Sequence, residues 1–345
     1  MVSFATRFAL PTLLCFATLA PAAPVPKDTR PVISPKNADQ LRPVREVPHG
    51  VYRITNGPKR GEITIFDHLN NVEIADDVNV RTSVTLAKDQ RPTDFAASPD
   101  GKFRAWLPQG KTGYALENTA TGKTVEIEIG DSPGNAAFSP DSKLIAIGHT
   151  VWDPNVRQRS ASEMRLYDVS GKLVRTLDKS GPGGLTPVFS PDGKTLAVGN
   201  RNHETQLFEV ATGTLLHTLG EKMTQGIAFS PDGKVLAAAY VEGPVRLWDV
   251  ATGKLLHEKP SGNKEVYAVD WNPKGDVLVT SGREGKIVLW NADNLTKLVE
   301  LDAPDWVIQA RFTADGTRLL TAGGTNYGRT DRKIVVWGLT GGDKR

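Results

Sequence analysis

The fold is decided by residues 226–257, which read GIAFSPDGKVLAAAYVEGPVRLWDVATGKLLH. Apolar runs flank the Ser230-Pro-Asp-Gly turn, in which Pro fixes φ, Asp accepts bonds from its own backbone and Gly adopts the following conformation. The run after Pro244 alternates apolar and polar residues, as a half-buried strand does. An Ala-Thr-Gly turn at 251–253 then leads into a fourth apolar run. The stretch therefore predicts four short antiparallel strands in one sheet.

This unit repeats along the chain. The repeated turns contain Pro99, Pro140, Pro191, Pro231 and Pro273, which are separated by 41, 51, 40 and 42 residues. Ala314 takes the place of the proline after a further 41 residues. Counting back 41 residues from Pro99 gives Pro58, within a segment that matches the copy around Pro273 in register. The repeat therefore predicts seven copies, one of which carries a ten-residue insertion.

A four-stranded unit buries neither face alone, and radial packing supplies a neighbour on both sides. We therefore predict an all-β fold, a seven-bladed β-propeller of four-stranded antiparallel blades, in a single domain over 38–340 with its blades over 51–338. The seventh copy ends after its third strand, Lys333–Trp337. Residues 38–47 are predicted to supply the missing strand and to cover that edge. Pro43 is tolerated there because the fourth strand is outermost.

The N-terminus predicts export. Arg7 precedes an apolar stretch at 8–20 and small residues at 21–24, which is the layout of a secretory signal peptide, assigned to 1–23. A Pro-rich tether is predicted over 24–37, and the protein is expected to be secreted or periplasmic. The apolar stretch is too short for a transmembrane span. Cys15, the only cysteine, lies in the segment expected to be removed, so the mature chain has no disulfide.

The ends of the third strands carry a family resemblance. Trp248-Asp249 has relatives in four other copies, and two copies are degenerate: Tyr167-Asp168, Phe208-Glu209, Trp290-Asn291 and Trp337-Gly338, then Ala75-Asp76 and Glu117-Asn118. Over residues 51–338 the chain resembles the WD-repeat β-propeller family, and this resemblance implies protein–protein interaction. No Gly-His pair precedes the first strand of any copy, so the family's buried His–Ser/Thr–Trp–Asp network is not carried over.

Departures from the repeat suggest a binding face. The insertions at 149–162 and 323–332 both lie between second and third strands, and those loops emerge on the same face as the loops from fourth to first strands. Trp152 and Trp306 do not fit a strand. Trp, Tyr and Arg dominate binding hot spots, and long loops on rigid scaffolds commonly carry function. The candidate partner-binding residues are Trp152, Asp153, Arg157, Arg159, Arg201, His203, Tyr240, Arg283, Trp306, Tyr327 and Arg329.

The sequence favours a non-catalytic, monomeric scaffold for a protein partner, with no cofactor, no metal and no catalytic residue. The aspartates of the repeated turns are assigned to the turns, and no metal-binding or nucleophile motif occurs. The formal net charge is only +3, without a Lys/Arg run, so no nucleic-acid partner is expected.

Two alternatives remain open. One is a propeller enzyme, of hydrolase or lactonase type, acting in the central channel. Its site would use one repeated position of the first strand, where Gly226 and Ala268 interrupt a polar set: Arg53, Asp94, Asn135, Thr186 and Gln309. The other is a carbohydrate-binding module that uses the exposed Trp and Tyr side chains.

Overall fold

The computed structural model describes residues 31–339 except 48–50, 57–61, 68–70, 77–78, 86–91, 109, 131–132, 154–157, 178–184, 201–203, 221–222, 242 and 325–332. Only the backbone is described for 47, for the strand residues within 51–93 and 150–161, and for 133, 185 and 200. Apart from one 3-10 turn at Ala38–Gln40, every regular element in this part of the chain is a strand. The all-β prediction is therefore confirmed.

Seven four-stranded antiparallel sheets follow one another along the described strands. Strand β1 (Leu41–Val47) precedes the first complete sheet. Sheet one contains β2 (Val51–Asn56), β3 (Glu62–Asp67), β4 (Asn71–Asp76) and β5 (Asn79–Thr85). Sheet two contains β6 (Pro92–Ala97), β7 (Phe103–Pro108), β8 (Gly113–Asn118) and β9 (Thr124–Glu128). Sheet three contains β10 (Pro133–Phe138), β11 (Leu144–Asp153), β12 (Gln158–Asp168) and β13 (Leu173–Thr176).

The same pattern continues to the end of the chain. Sheet four contains β14 (Leu185–Phe189), β15 (Thr195–Asn200), β16 (Thr205–Glu209) and β17 (Leu215–Leu219). Sheet five contains β18 (Thr224–Phe229), β19 (Val235–Tyr240), β20 (Pro244–Asp249) and β21 (Leu255–Pro260). Sheet six contains β22 (Val266–Trp271), β23 (Val277–Gly282), β24 (Lys286–Asn291) and β25 (Lys297–Asp302). Sheet seven contains β26 (Val307–Phe312), β27 (Leu319–Gly323), β28 (Lys333–Leu339) and, next to β28, the N-terminal β1.

The core lies between neighbouring sheets. Leu207 and Tyr240, from sheets four and five, belong to one buried cluster, and Leu247 and Leu278, from sheets five and six, belong to the next. Equivalent buried clusters join each neighbouring pair from sheet two to sheet seven, as the repeat requires.

The repeated turns are built from their own side chains. In five copies the Ser or Thr hydroxyl donates to the Asp carboxylate at 2.6–2.7 Å: Ser98–Asp100, Ser139–Asp141, Ser190–Asp192, Ser230–Asp232 and Thr313–Asp315. The carboxylate also accepts a backbone N–H two residues later, as in the 3.0 Å bond from Lys194 to Asp192. The assignment of these aspartates to turns is confirmed.

These turns make stability sensitive to acid. The Ser hydroxyls lower the pKa of Asp141, Asp192 and Asp232 below the ordinary value. Because the folded-state pKa lies below the unfolded value of about 3.9, this stabilisation is present above that pH and is lost as pH falls through the folded pKa. We expect the melting temperature to fall below about pH 4, and to fall less steeply when all three are changed to Asn. Parallel melting curves for both proteins would contradict this.

The N-terminal segment completes sheet seven. Strand β1 pairs antiparallel with β28, from Leu41 opposite Leu339 to Val47 opposite Ile334. Upstream, Ile33 is fully buried, its N–H donates to the Gly316 carbonyl at 2.9 Å, and its carbonyl accepts the Asn272 amide at 3.0 Å. The docked segment thus begins within the stretch predicted as a tether. The Ile33 side chain belongs to the buried apolar cluster between sheets six and seven.

Part of the family's buried polar network is present despite the missing Gly-His pairs. The indole N–H of Trp290 donates to Thr280 Oγ1, and that of Trp337 donates to Thr321 Oγ1, both at 2.9 Å. In sheet five the corresponding position is Ala238, and the Trp248 indole donates instead to the Tyr240 hydroxyl at 3.3 Å. Each of these three indole N–H groups therefore has a buried acceptor.

Candidate functional site

The loop-rich face is the end of the fold at which second strands turn into third strands and fourth strands lead to first strands. The insertion at 149–162 projects from this end, but the expectation that it is a loop and that Trp152 does not fit a strand is wrong. Strands β11 and β12 extend as one hairpin, with Trp152 opposite Arg159 and Asp153 opposite Gln158. Thr150, Val151 and Trp152 are residue types that favour extended backbone, so the pairing of β11 with β12 continues as far as Asp153.

The structure describes the predicted partner-binding residues unequally. The backbone alone is described for Trp152, Asp153 and Arg159. Five others lie outside the described residues: Arg157, Arg201, His203, Tyr327 and Arg329. Side chains are described for Tyr240, Arg283 and Trp306.

Arg283 and Trp306 meet on the loop-rich face. Arg283 follows β23 and Trp306 precedes β26, as predicted from the repeat. The guanidinium carbon of Arg283 lies 4.8 Å from the centre of the Trp306 ring, which is cation–π geometry. The guanidinium also donates to Glu265, which in turn accepts the Tyr267 hydroxyl at 2.7 Å. The Tyr267 and Trp306 ring centres are 6.3 Å apart. We call these four residues the rim cluster.

The backbone holds the rim cluster in place. Arg283 N–H donates to the Glu265 carbonyl at 2.9 Å, directly after Gly282. A Cβ at Gly282 would lie 2.1 Å from that carbonyl oxygen, so only glycine permits this approach. The Tyr267 hydroxyl and then the Arg283 guanidinium hold the pKa of Glu265 below its usual value. The carboxylate therefore stays charged at neutral pH and orients the arginine.

Two members of the rim cluster are absent from the residues predicted from the sequence. Glu265 and Tyr267 lie at the regular start of a first strand, where the sequence does not depart from the repeat. Their spacing of two residues, which places side chains on the same side of a strand, is the signal that would have indicated them.

Tyr240 does not belong to this surface. Its side chain is fully buried, its hydroxyl accepts the Trp248 indole, and the Arg246 guanidinium carbon lies 5.0 Å from its ring centre. Burial raises the pKa of its hydroxyl. Tyr240 replaces the missing threonine of sheet five and is therefore unavailable to a partner.

The inner strands line a central cavity of about 600 Å³. Residues at the repeated first-strand position line it in six sheets, as predicted for the channel: Asp94, Asn135, Thr186, Gly226, Ala268 and Gln309. The side chain of Arg53, the seventh member, is outside the described part of the chain. Tyr267 also lines this cavity. The rim cluster therefore stands at the mouth of the channel.

The described residues contain no group of three or more His, Cys, Asp or Glu side chains that could hold a metal ion. They also contain no helix long and apolar enough to cross a membrane.

Comparison with known proteins identifies the repeat. Residues 220–272 match the family described as the anaphase-promoting complex subunit 4 WD40 domain, and this match covers sheet five and the first strand of sheet six. No curated protein matches the chain. WD40 β-propellers generally act as protein-interaction scaffolds. The matched segment is similar to a WD40 domain, and the repeated four-stranded antiparallel sheets are consistent with a WD-repeat β-propeller.

Proposed function

We propose that this protein is an exported, non-catalytic and monomeric scaffold that binds a protein partner through its loop-rich face. The rim cluster supports this most directly. It presents a tryptophan, a tyrosine and an arginine together, and these residue types carry much of the binding energy in protein interfaces.

The cluster is also organised before any partner arrives. Arg283 is fixed between Glu265 and Trp306, and Trp306 is tied by its carbonyl, which accepts the Gly324 N–H at 3.0 Å. Side chains already held in one arrangement lose less conformational entropy on binding. The rim cluster is therefore suited to serve as the centre of an interface.

The remaining parts of the proposal rest on other observations. Strand β2 lies against β26 and β27, which supports a closed ring of seven sheets. The charged, apolar and small-residue segments at 1–23 support export.

Alanine substitutions test the partner face. Trp306→Ala and Arg283→Ala should each weaken partner capture from extracts of the producing cells by about 30-fold, which corresponds to a hot-spot loss of about 2 kcal/mol. Lys143→Ala, an exposed change in a turn at the opposite end, is the matched control. Partner capture is measured by quantitative mass spectrometry. Equal capture by all three variants and the unsubstituted protein would place the interface elsewhere.

A further inference from the structure

Arg311 stands out among the residues that line the central cavity. It lies in β26, and its Nη1 donates to Oδ1 of Asp270 on the neighbouring inner strand β22 at 2.9 Å. The other Asp270 oxygen accepts the Phe312 N–H at 2.8 Å. Both carboxylate oxygens are therefore used, and one edge of the guanidinium is fixed in place.

The rest of the guanidinium remains open. Among the described residues, Nε and Nη2 of Arg311 have no hydrogen-bond acceptor, and the side chain is 41% exposed, against 17% for Asp270. Arginine carries five N–H donors in a planar fork that matches a carboxylate with two parallel bonds. Asp270 orients this fork so that its unused donors are accessible in the cavity.

The surroundings suit a polar ligand. Uncharged amide and hydroxyl groups line the described cavity: Asn135, Thr186, Gln225 and Gln309. The acidic side chain among the lining residues, Asp94, accepts the Tyr114 hydroxyl at 2.6 Å and the Ala136 N–H at 2.8 Å. Asp94 is thus engaged with partners in sheets two and three.

We propose that the central channel binds a carboxylate group, which the free edge of Arg311 holds while the amides and hydroxyls bind the rest of the ligand. The carboxylate comes either from a small polar acid or from an acidic side chain of a peptide. Tyr267 borders both sites, but Arg311 is not part of the rim cluster, and the carboxylate site does not depend on the partner face proposed above.

Calorimetric titration tests the site on the full-length protein. The probes are succinate, its neutral diamide, a Glu-containing peptide and the same peptide with Gln. We expect binding of succinate or of the Glu peptide and none of the neutral analogues. Arg311→Lys keeps a cation beside Asp270 but loses the fork, and it should weaken binding at least about tenfold, because bidentate charged pairs are the strong ones. Arg246→Lys, whose arginine pairs with Glu258 away from the channel, should bind like the unsubstituted protein.

The outcomes distinguish the two sources of the carboxylate, and they distinguish the channel site from the proposed partner face. Binding of succinate identifies a small acid as the ligand, and binding of the Glu peptide alone identifies a peptide. In both cases the Arg311→Lys variant must lose the binding while its melting temperature stays unchanged. Trp306→Ala should leave carboxylate binding intact. The site is refuted if neither acid binds at millimolar concentration, if Arg311→Lys binds equally well, or if Trp306→Ala abolishes binding.

Discussion

Deletion of residues 31–47 is expected to lower the melting temperature by about 10 °C or more. The deletion removes three fully buried side chains, Ile33, Ala38 and Leu41, and the outer partner of β28. Truncating one buried Ile or Leu costs about 2–5 kcal/mol, so losing two of them removes a large part of a stability that is about 5–15 kcal/mol in total. The unpaired β28 would also become a free edge that favours aggregation.

Point variants test the burial of Ile33 separately from the pairing of β1 with β28. Ile33→Ala should destabilise the fold, whereas Lys36→Ala, an exposed change three residues later, should not. Differential scanning calorimetry checks all three proteins. An unchanged melting temperature after the deletion would show that the N-terminal segment contributes nothing to sheet seven.

Asn272→Ala is expected to cost about 2–4 kcal/mol of the free energy of unfolding. Asn272 is fully buried in the turn of sheet six, where five other copies have Ser or Thr. Its Oδ1 accepts the N–H groups of Asp276 and Val277 at 3.0 and 3.1 Å, and its Nδ2 donates to the Ile33 carbonyl at 3.0 Å. Alanine leaves these buried groups without partners, and each unsatisfied group is costly.

Asn272→Ser is the matched comparison. In sheet five the Ser230 hydroxyl accepts the Val235 N–H at 3.0 Å, so serine at 272 should restore the turn but not the bond to Ile33. Urea denaturation should place Asn272→Ser between the unsubstituted protein and Asn272→Ala. If serine and asparagine at position 272 give equal free energies of unfolding, the bond to Ile33 does not contribute to stability.

The repeat was enough to predict strands, turns and the channel. The recurring Pro-Asp turn marks the end of most first strands, so side chains such as Asn135 and Gln309 could be assigned to the channel. Features that join distant segments were not predictable in this way. Ile33 looks like part of a Pro-rich tether, and its partner Asn272 looks like a degenerate turn residue, until the two are seen in contact.

The candidate site was predictable in part for the same reason. Trp306 and Arg283 depart from the repeat and were selected, and they do meet. Glu265 and Tyr267 occupy regular strand positions and were missed. Tyr240 has a residue type suited to binding, but position 238 holds alanine in place of the threonine of sheets six and seven, and the buried Tyr240 hydroxyl accepts the Trp248 indole instead.

Site-specific photo-crosslinking tests the proposed partner face most directly. A benzophenone amino acid is placed at 306 on the loop-rich face, or at 143 among the turns of the opposite end, and the producing cells are irradiated. Our account predicts a specific crosslinked protein from position 306 and none from position 143. Crosslinking from position 143 alone, or the same proteins from both positions, would contradict it.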